Sequence, residues 1–247
     1  LRLYRKALQL DPEFAGAFNW LGTAYLSLGD AEKAAYWLNE GAQRAPEEFR
    51  ASSGRAFLYR FRGEEERAVA IARQLQAMVP GNNTTLVTLV SFGRDQEVID
   101  LAATDWPDLS CEAEPSVTRI NVFQAMNLSL AYERTGQIEC SNSLLAGILD
   151  IVEGGPGLSG QAFGFLSVEV YARQGQIEQA LAALRDSVAA GMRAQWMFQI
   201  EHSPHADNLR EVTEFRSIRK EVLADIAKQL AIVRDMEARG EVAPFGD

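Results

Sequence analysis

The sequence predicts an all-α fold: a solenoid of stacked helical hairpins, about 10–13 helices long, finished by a C-terminal capping helix. Three observations lead there. The segment Ala15 to Glu48 is echoed by Phe49 to Asn82 at a fixed step, the mark of a repeat architecture. Apolar residues recur at three- and four-residue steps along most of the chain. A glycine followed within a residue or two by a polar or acidic residue separates successive runs, as at Gly29-Asp30 and Gly63-Glu64.

Taken in order, Leu3, Ala7, Leu8 and Leu10, followed by Asp11-Pro12, form the second half of a hairpin whose first helix would lie upstream. Ala15 to Glu48 is the clearest unit. Small Gly22 and Ala34 let two helices approach, while Phe18, Tyr25 and Leu38 fill the gap. Gly29 takes the left-handed turn, Asp30 caps the next helix, and Pro46 stops it. Phe49 to Asn82 keeps Tyr59, Gly63, Glu64, Ala68, Leu75 and Pro80, with Arg55 and Ala56 in place of Leu and Gly. A degenerate unit follows, in which the run Leu86 to Phe92 meets Gly93 early and hands over to a helix from Asp95 to Thr104. Residues 1–105 thus read as an N-terminal array. Residues 106–118, with Pro107 and Pro115, read as an interrupting loop. Residues 119–200 hold two further hairpins, one with Leu128, Tyr132, Gly136 and Leu145, the other with Val168, Tyr171, Gly175 and Leu184. Gly154, Gly155, Pro156, Gly157 and Gly160 connect them. Residues 201–247 supply a cap and tail, with Val212, Phe215, Ile218, Val222, Ile226, Leu230 and Val233 on one helical face.

The unit Ala15 to Glu48 resembles a tetratricopeptide repeat through Phe18, Leu21-Gly22, Tyr25, Gly29, Ala34, Leu38 and Pro46, with Gly41 as its one departure. The resemblance implies a right-handed superhelix that binds protein or peptide. The stretch from Trp106 to Pro244 is similar to the C-terminal solenoids of proteobacterial membrane-anchored winged-helix regulators and adenylate cyclases. Trp106-Pro107, the Tyr132 and Tyr171 hairpins, Glu214-Phe215-Arg216 and Gln229 carry that likeness. It implies a sensory or interaction module of a larger bacterial signalling protein, periplasmic if the parent is membrane-anchored and cytoplasmic otherwise.

In the tetratricopeptide family the first helix of each hairpin lines a concave groove. Carried over, the groove holds Asn19, Thr23 and Leu26, then Arg50, Ser53, Phe57 and Arg60, then Met126, Leu130, Arg134, Phe165, Glu169 and Arg173. Four arginines here run against a net charge of -10. Arginine forks suit carboxylates, so a partly acidic peptide is the expected partner. Arg60 and Arg134 have a plainer reading too, covering hairpin turns beside Glu64 and Glu133. Of the carboxylate clamp used by chaperone-binding members, only Asn19 has a counterpart. Self-association into a homodimer is the second expectation.

Catalysis finds little support. The acidic balance argues against nucleic-acid binding, and no apolar run reaches the roughly 20 residues of a membrane helix. His202 and His205 are the only histidines. A shared metal there is outweighed by a loop reading in which Asp207 or Asn208 caps the following helix. The glycine run near Gly154 follows a helix and lacks a Gly-Lys-Ser/Thr ending, so it is a linker and no phosphate cradle. Glu64 to Glu66 sit at a helix start, where the dipole favours them. No cofactor or metal is implied. Cys111 and Cys140 form neither a zinc nor a redox motif; free thiols are the favoured reading and a disulfide stapling the loop is the alternative.

Overall fold

The computed structural model describes residues 1–112, 114–154, 165–194 and 196–241, with the side chain of Phe198 left aside. Twelve α-helices form among these residues, joined by short turns. They are α1 (Arg2–Leu10), α2 (Ala15–Ser27), α3 (Ala31–Arg44), α4 (Phe49–Phe61), α5 (Glu65–Met78), α6 (Asn83–Ser91), α7 (Asp95–Asp105), α8 (Val122–Arg134), α9 (Ile138–Gly154), α10 (Leu166–Arg173), α11 (Ile177–Ala189) and α12 (Thr213–Ala238). The connector around Pro156 lies outside the described residues, although Gly154 itself ends α9.

The pairs α2/α3, α4/α5, α6/α7, α8/α9 and α10/α11 are antiparallel neighbours, and α2, α4, α6 and α8 lie side by side. Local chemistry explains the hairpins. Gly29, Gly63, Gly93, Gly136 and Gly175 all have φ between 68° and 82°, the left-handed turn that a side chain resists. Asp30 accepts from the Lys33 backbone N–H and caps α3. At Gly22 a Cβ would lie 2.3 Å from Leu38 Cγ, so the α2/α3 crossing has no room for even a methyl group. Gly41, the departure from the repeat pattern, is close-packed for a similar reason: a Cβ there would stand 2.7 Å from Phe18 Cβ.

Three apolar clusters run through the stack, one under α2 to α5, one spanning α5 to α10, and one joining α10, α11 and α12. The middle cluster passes beneath the loop after α7. That loop is pinned: Trp106 Nε1 donates to Gly81 O at 2.8 Å, a short 3-10 turn (Pro107–Leu109) buries Leu109, and Val117 packs against Gly147. The free-thiol expectation is corrected here. The pinned loop carries Cys111 to the start of α9, where it is disulfide-bonded to Cys140 with the Cα atoms 5.6 Å apart.

The cap does more than cover the last hairpin. Phe215, Val222 and Ile226 bury against the C-terminal cluster, while Val233 reaches the N-terminal one. Glu237 accepts from Tyr25 Oη at 2.5 Å, from Arg5 at 3.4 Å and from Lys33. Arg2 bonds Glu241 at 2.6 Å. The two ends of the described chain therefore meet. Among the described residues no helix is long and apolar enough to cross a membrane.

Candidate functional site

Between α11 and α12 the chain runs into the concave face instead of over the top of the stack. A π-helical turn (Met197–Glu201) approaches α2, and a 3-10 segment (Pro204–Leu209) packs on α10. This placement corrects the expectation that Asp207 or Asn208 caps the next helix. Asn208 donates to Ala172 O, Asp207 pairs with Arg210, and α12 starts after Val212 with no side-chain cap. His202 packs against Phe61 with ring centroids 4.7 Å apart and planes tilted by 57°, and among the described residues no three His, Cys, Asp or Glu side chains cluster as metal ligands.

Four kinds of contact hold the segment. Gln199 accepts from the Phe165 N–H at 3.2 Å, and Ser203 donates to Glu169 at 2.6 Å. His205 sits between Arg173 and Asn127, at 3.3 and 3.2 Å. Because a guanidinium only donates, Nδ1 of His205 accepts from Arg173, which leaves the proton on Nε2 to be donated to Asn127 Oδ1. Asn127 passes the chain on by donating to Asn83 Oδ1 at 2.9 Å.

What remains of the concave face is a cavity of about 220 Å³. All five first helices from α2 to α10 contribute: Thr23 from α2, Phe57 and Arg60 from α4, Asn83 and Val87 from α6, Phe123, Met126 and Asn127 from α8, and Glu169 from α10. Gln199, Ser203 and His205 close the remaining side. Of the residues expected in the groove, Thr23, Phe57, Arg60, Met126 and Glu169 meet here. Leu26, Leu130 and Phe165 are instead core, Phe165 packing edge-on to Trp196. Asn19 packs against Gly54, Ser53 is buried, and Arg50 is exposed in the first turn of α4.

The remaining arginines divide by partner. Arg134 donates to Val90 O at 2.7 Å and approaches Asp95, so it covers the preceding hairpin's turn, with Asp95 in the place expected of Glu133. Arg173 bonds Glu133, Ser129, Ser141 and His205. Arg60 is different. It is 8 % exposed, its carbon Cζ lies 4.9 Å over the Phe57 ring, and its Nη1 has no hydrogen-bond partner. Glu64, its expected companion, pairs with Arg62 and Arg67. Burial pushes Arg60 down to about 10, against the pull of Glu169. Burial also pushes Glu169 up to about 7, against the Ser203 hydroxyl and the charges of Arg60 and Arg173. His205 falls well below its ordinary value through burial and then through Arg173, Arg134 and Arg60. Three cations therefore act on one buried imidazole.

Asn83, Asn127, Gln199, Ser203 and His205 were not among the groove residues expected from sequence. Asn83 opens a helix and reads as a terminus residue, and the other expected positions came from a repeat template that has no place for a chain segment lying inside the groove.

The fold and this concave site define an all-α solenoid of stacked helical hairpins. Residues 3–35 match the tetratricopeptide repeat family, a stretch that starts in α1, crosses α2 and ends early in α3. Such repeats generally scaffold protein–protein contacts, and their all-helical fold is typically non-catalytic. No curated protein matches the chain.

Proposed function

We propose that this chain is a non-catalytic protein-binding module whose concave face holds polypeptide. One observation carries the reading: the face already holds a chain segment from outside the hairpins, residues 197–209, through side-chain and main-chain hydrogen bonds of the kind a partner peptide would make. The partner's strip is the part of the face toward the N-terminal hairpins, where Asn19, Thr23, Phe57 and exposed Arg50 lie. An acidic peptide suits Arg50, with Arg60, Arg134 and Arg173 behind it. Arg134 and Arg173, spent on internal partners, position the groove without contacting the peptide.

Fluorescence anisotropy with labelled acidic and neutral peptide pools tests this. Acidic peptides should bind, with affinity falling in Arg50→Glu and with rising salt. Equal retention of both pools, or indifference to Arg50→Glu, would sink it.

The parent is read as a bacterial signalling protein, on the likeness of Trp106 to Pro244 to the solenoids of its regulators and cyclases. The Cys111–Cys140 disulfide supports an oxidising compartment such as the periplasm. In this proposal the chain is organised as 1–105, 106–118, 119–200 and 201–247. Self-association is the second reading, favoured by Leu3 and Leu10, both 80 % exposed on α1. Light scattering over a wide concentration range decides it: a constant monomer mass removes this reading, and a rising mass supports it.

A further inference from the structure

The geometry points to a small-molecule site in the cavity at the centre of the stack, one that takes an organic carboxylate with a short apolar body, with Arg60 as its anchor. This goes beyond peptide capture and does not depend on it.

A guanidinium carries five N–H donors, and stacking over Phe57 uses its face while leaving those donors at the edge. Nη1 is buried without an acceptor, and Arg60 forms no ion pair with Glu169, which lines the same cavity. A buried guanidinium left this way is costly unless an acceptor completes it. A carboxylate is the acceptor whose two oxygens match that fork.

Shape and lining give the rest of the ligand. A cavity on the order of 150 Å³ takes a benzene ring, so about 220 Å³ takes a small acid of roughly ten heavy atoms. Val87, Phe123 and Met126 offer an apolar wall for its body, which disfavours inorganic phosphate or sulfate. Asn83 and Gln199 also line the cavity, as hydrogen-bonding groups for a second polar atom.

Glu169 makes the site sensitive to pH. It faces Arg60 from α4, Ser203 and His205 from the inserted segment, and Arg173 from its own helix, itself paired with Glu133. His205 stays neutral, so Glu169 is the group that changes charge near neutrality. Protonated, it leaves Arg60 free for the ligand; ionised, it competes for Arg60 and repels the carboxylate.

The test is isothermal titration calorimetry on the full chain with phenylacetate and 4-methylpentanoate, their primary amides, and a short peptide with a free or an amidated C-terminus. Saturable binding of the acids is expected, with the amides weaker by at least about tenfold. Arg60→Gln should lose the acids by a similar factor while circular dichroism and melting stay native-like. Glu169→Gln should bind at least as tightly and lose the weakening seen between pH 6 and pH 8. Binding of the free-terminus peptide, but of neither small acid, keeps the carboxylate site and assigns its source to a chain terminus. No binding by any carboxylate, or binding that Arg60→Gln leaves intact, overturns the proposal. Because Arg50→Glu alters only the peptide strip, its effect separates failure of the peptide reading from failure of this one.

Discussion

Glu169 is 5 % exposed and its carboxyl is pushed up from an ordinary 4.5 to about 7. A group raised on folding contributes stability that is fully present below its unfolded value and is lost as pH rises through its folded value. The window is therefore pH 4.5 to 7, and the full effect is on the order of 3 kcal/mol. Urea unfolding of wild type should give a midpoint that falls across this window, and Glu169→Gln should flatten the fall. Gly22 gives a second prediction at this scale. With Leu38 Cγ 2.3 Å from a would-be Cβ, Gly22→Ala should cost about 1–3 kcal/mol by overpacking despite alanine's better helix propensity. Both residues show where sequence reading reaches. The small size of Gly22 is written in the repeat pattern, and so is its reason. The burial of Glu169 is not, because Ser203 and His205, which enclose it, come from a segment more than thirty residues downstream with no periodicity to place it.

The hairpins were legible at the scale of elements because each carries its own start, turn and stop, and neighbouring helices need only the next hairpin to bury them. The loop after α7 was legible as a loop but not as an anchored one. Its hold depends on Trp106 finding Gly81 O and on Leu109 finding the core, contacts between residues that give no local signal. The disulfide follows from that anchoring. Closing a loop across a separation of 29 residues is worth about 3.5 kcal/mol in the chain-entropy picture, so a reductant, or the pair Cys111→Ser and Cys140→Ser, should lower the unfolding midpoint accordingly. Along α12, Lys228 and Arg239 are exposed, whereas Glu237 is largely buried. Burial would raise that carboxyl, and the bonds from Lys33 and Tyr25 outweigh it and hold it low. Its contribution is present above the ordinary carboxylate value and fades as acid protonates it. Glu237→Gln should cost about 1–3 kcal/mol and speed amide exchange in α1 and α2 over α8.

On the scale of the whole molecule, the stack ends where it began. Arg2, Arg5, Tyr25 and Lys33 are held by Glu237 and Glu241, partners 204 to 239 positions away in sequence. Phe61 joins the C-terminal cluster and Val233 the N-terminal one. An open array of repeats behaves like a chain of beads: each bead feels its neighbours, and a weak end frays while the middle holds. A necklace fastened at the clasp cannot fray that way. Fastening should make unfolding of this chain more nearly all-or-none than its repeat architecture would give, and should slow folding, because the clasp closes only after everything between its halves is in place. Loosening it, as Glu237→Gln does, would return the molecule toward a string that opens from one end.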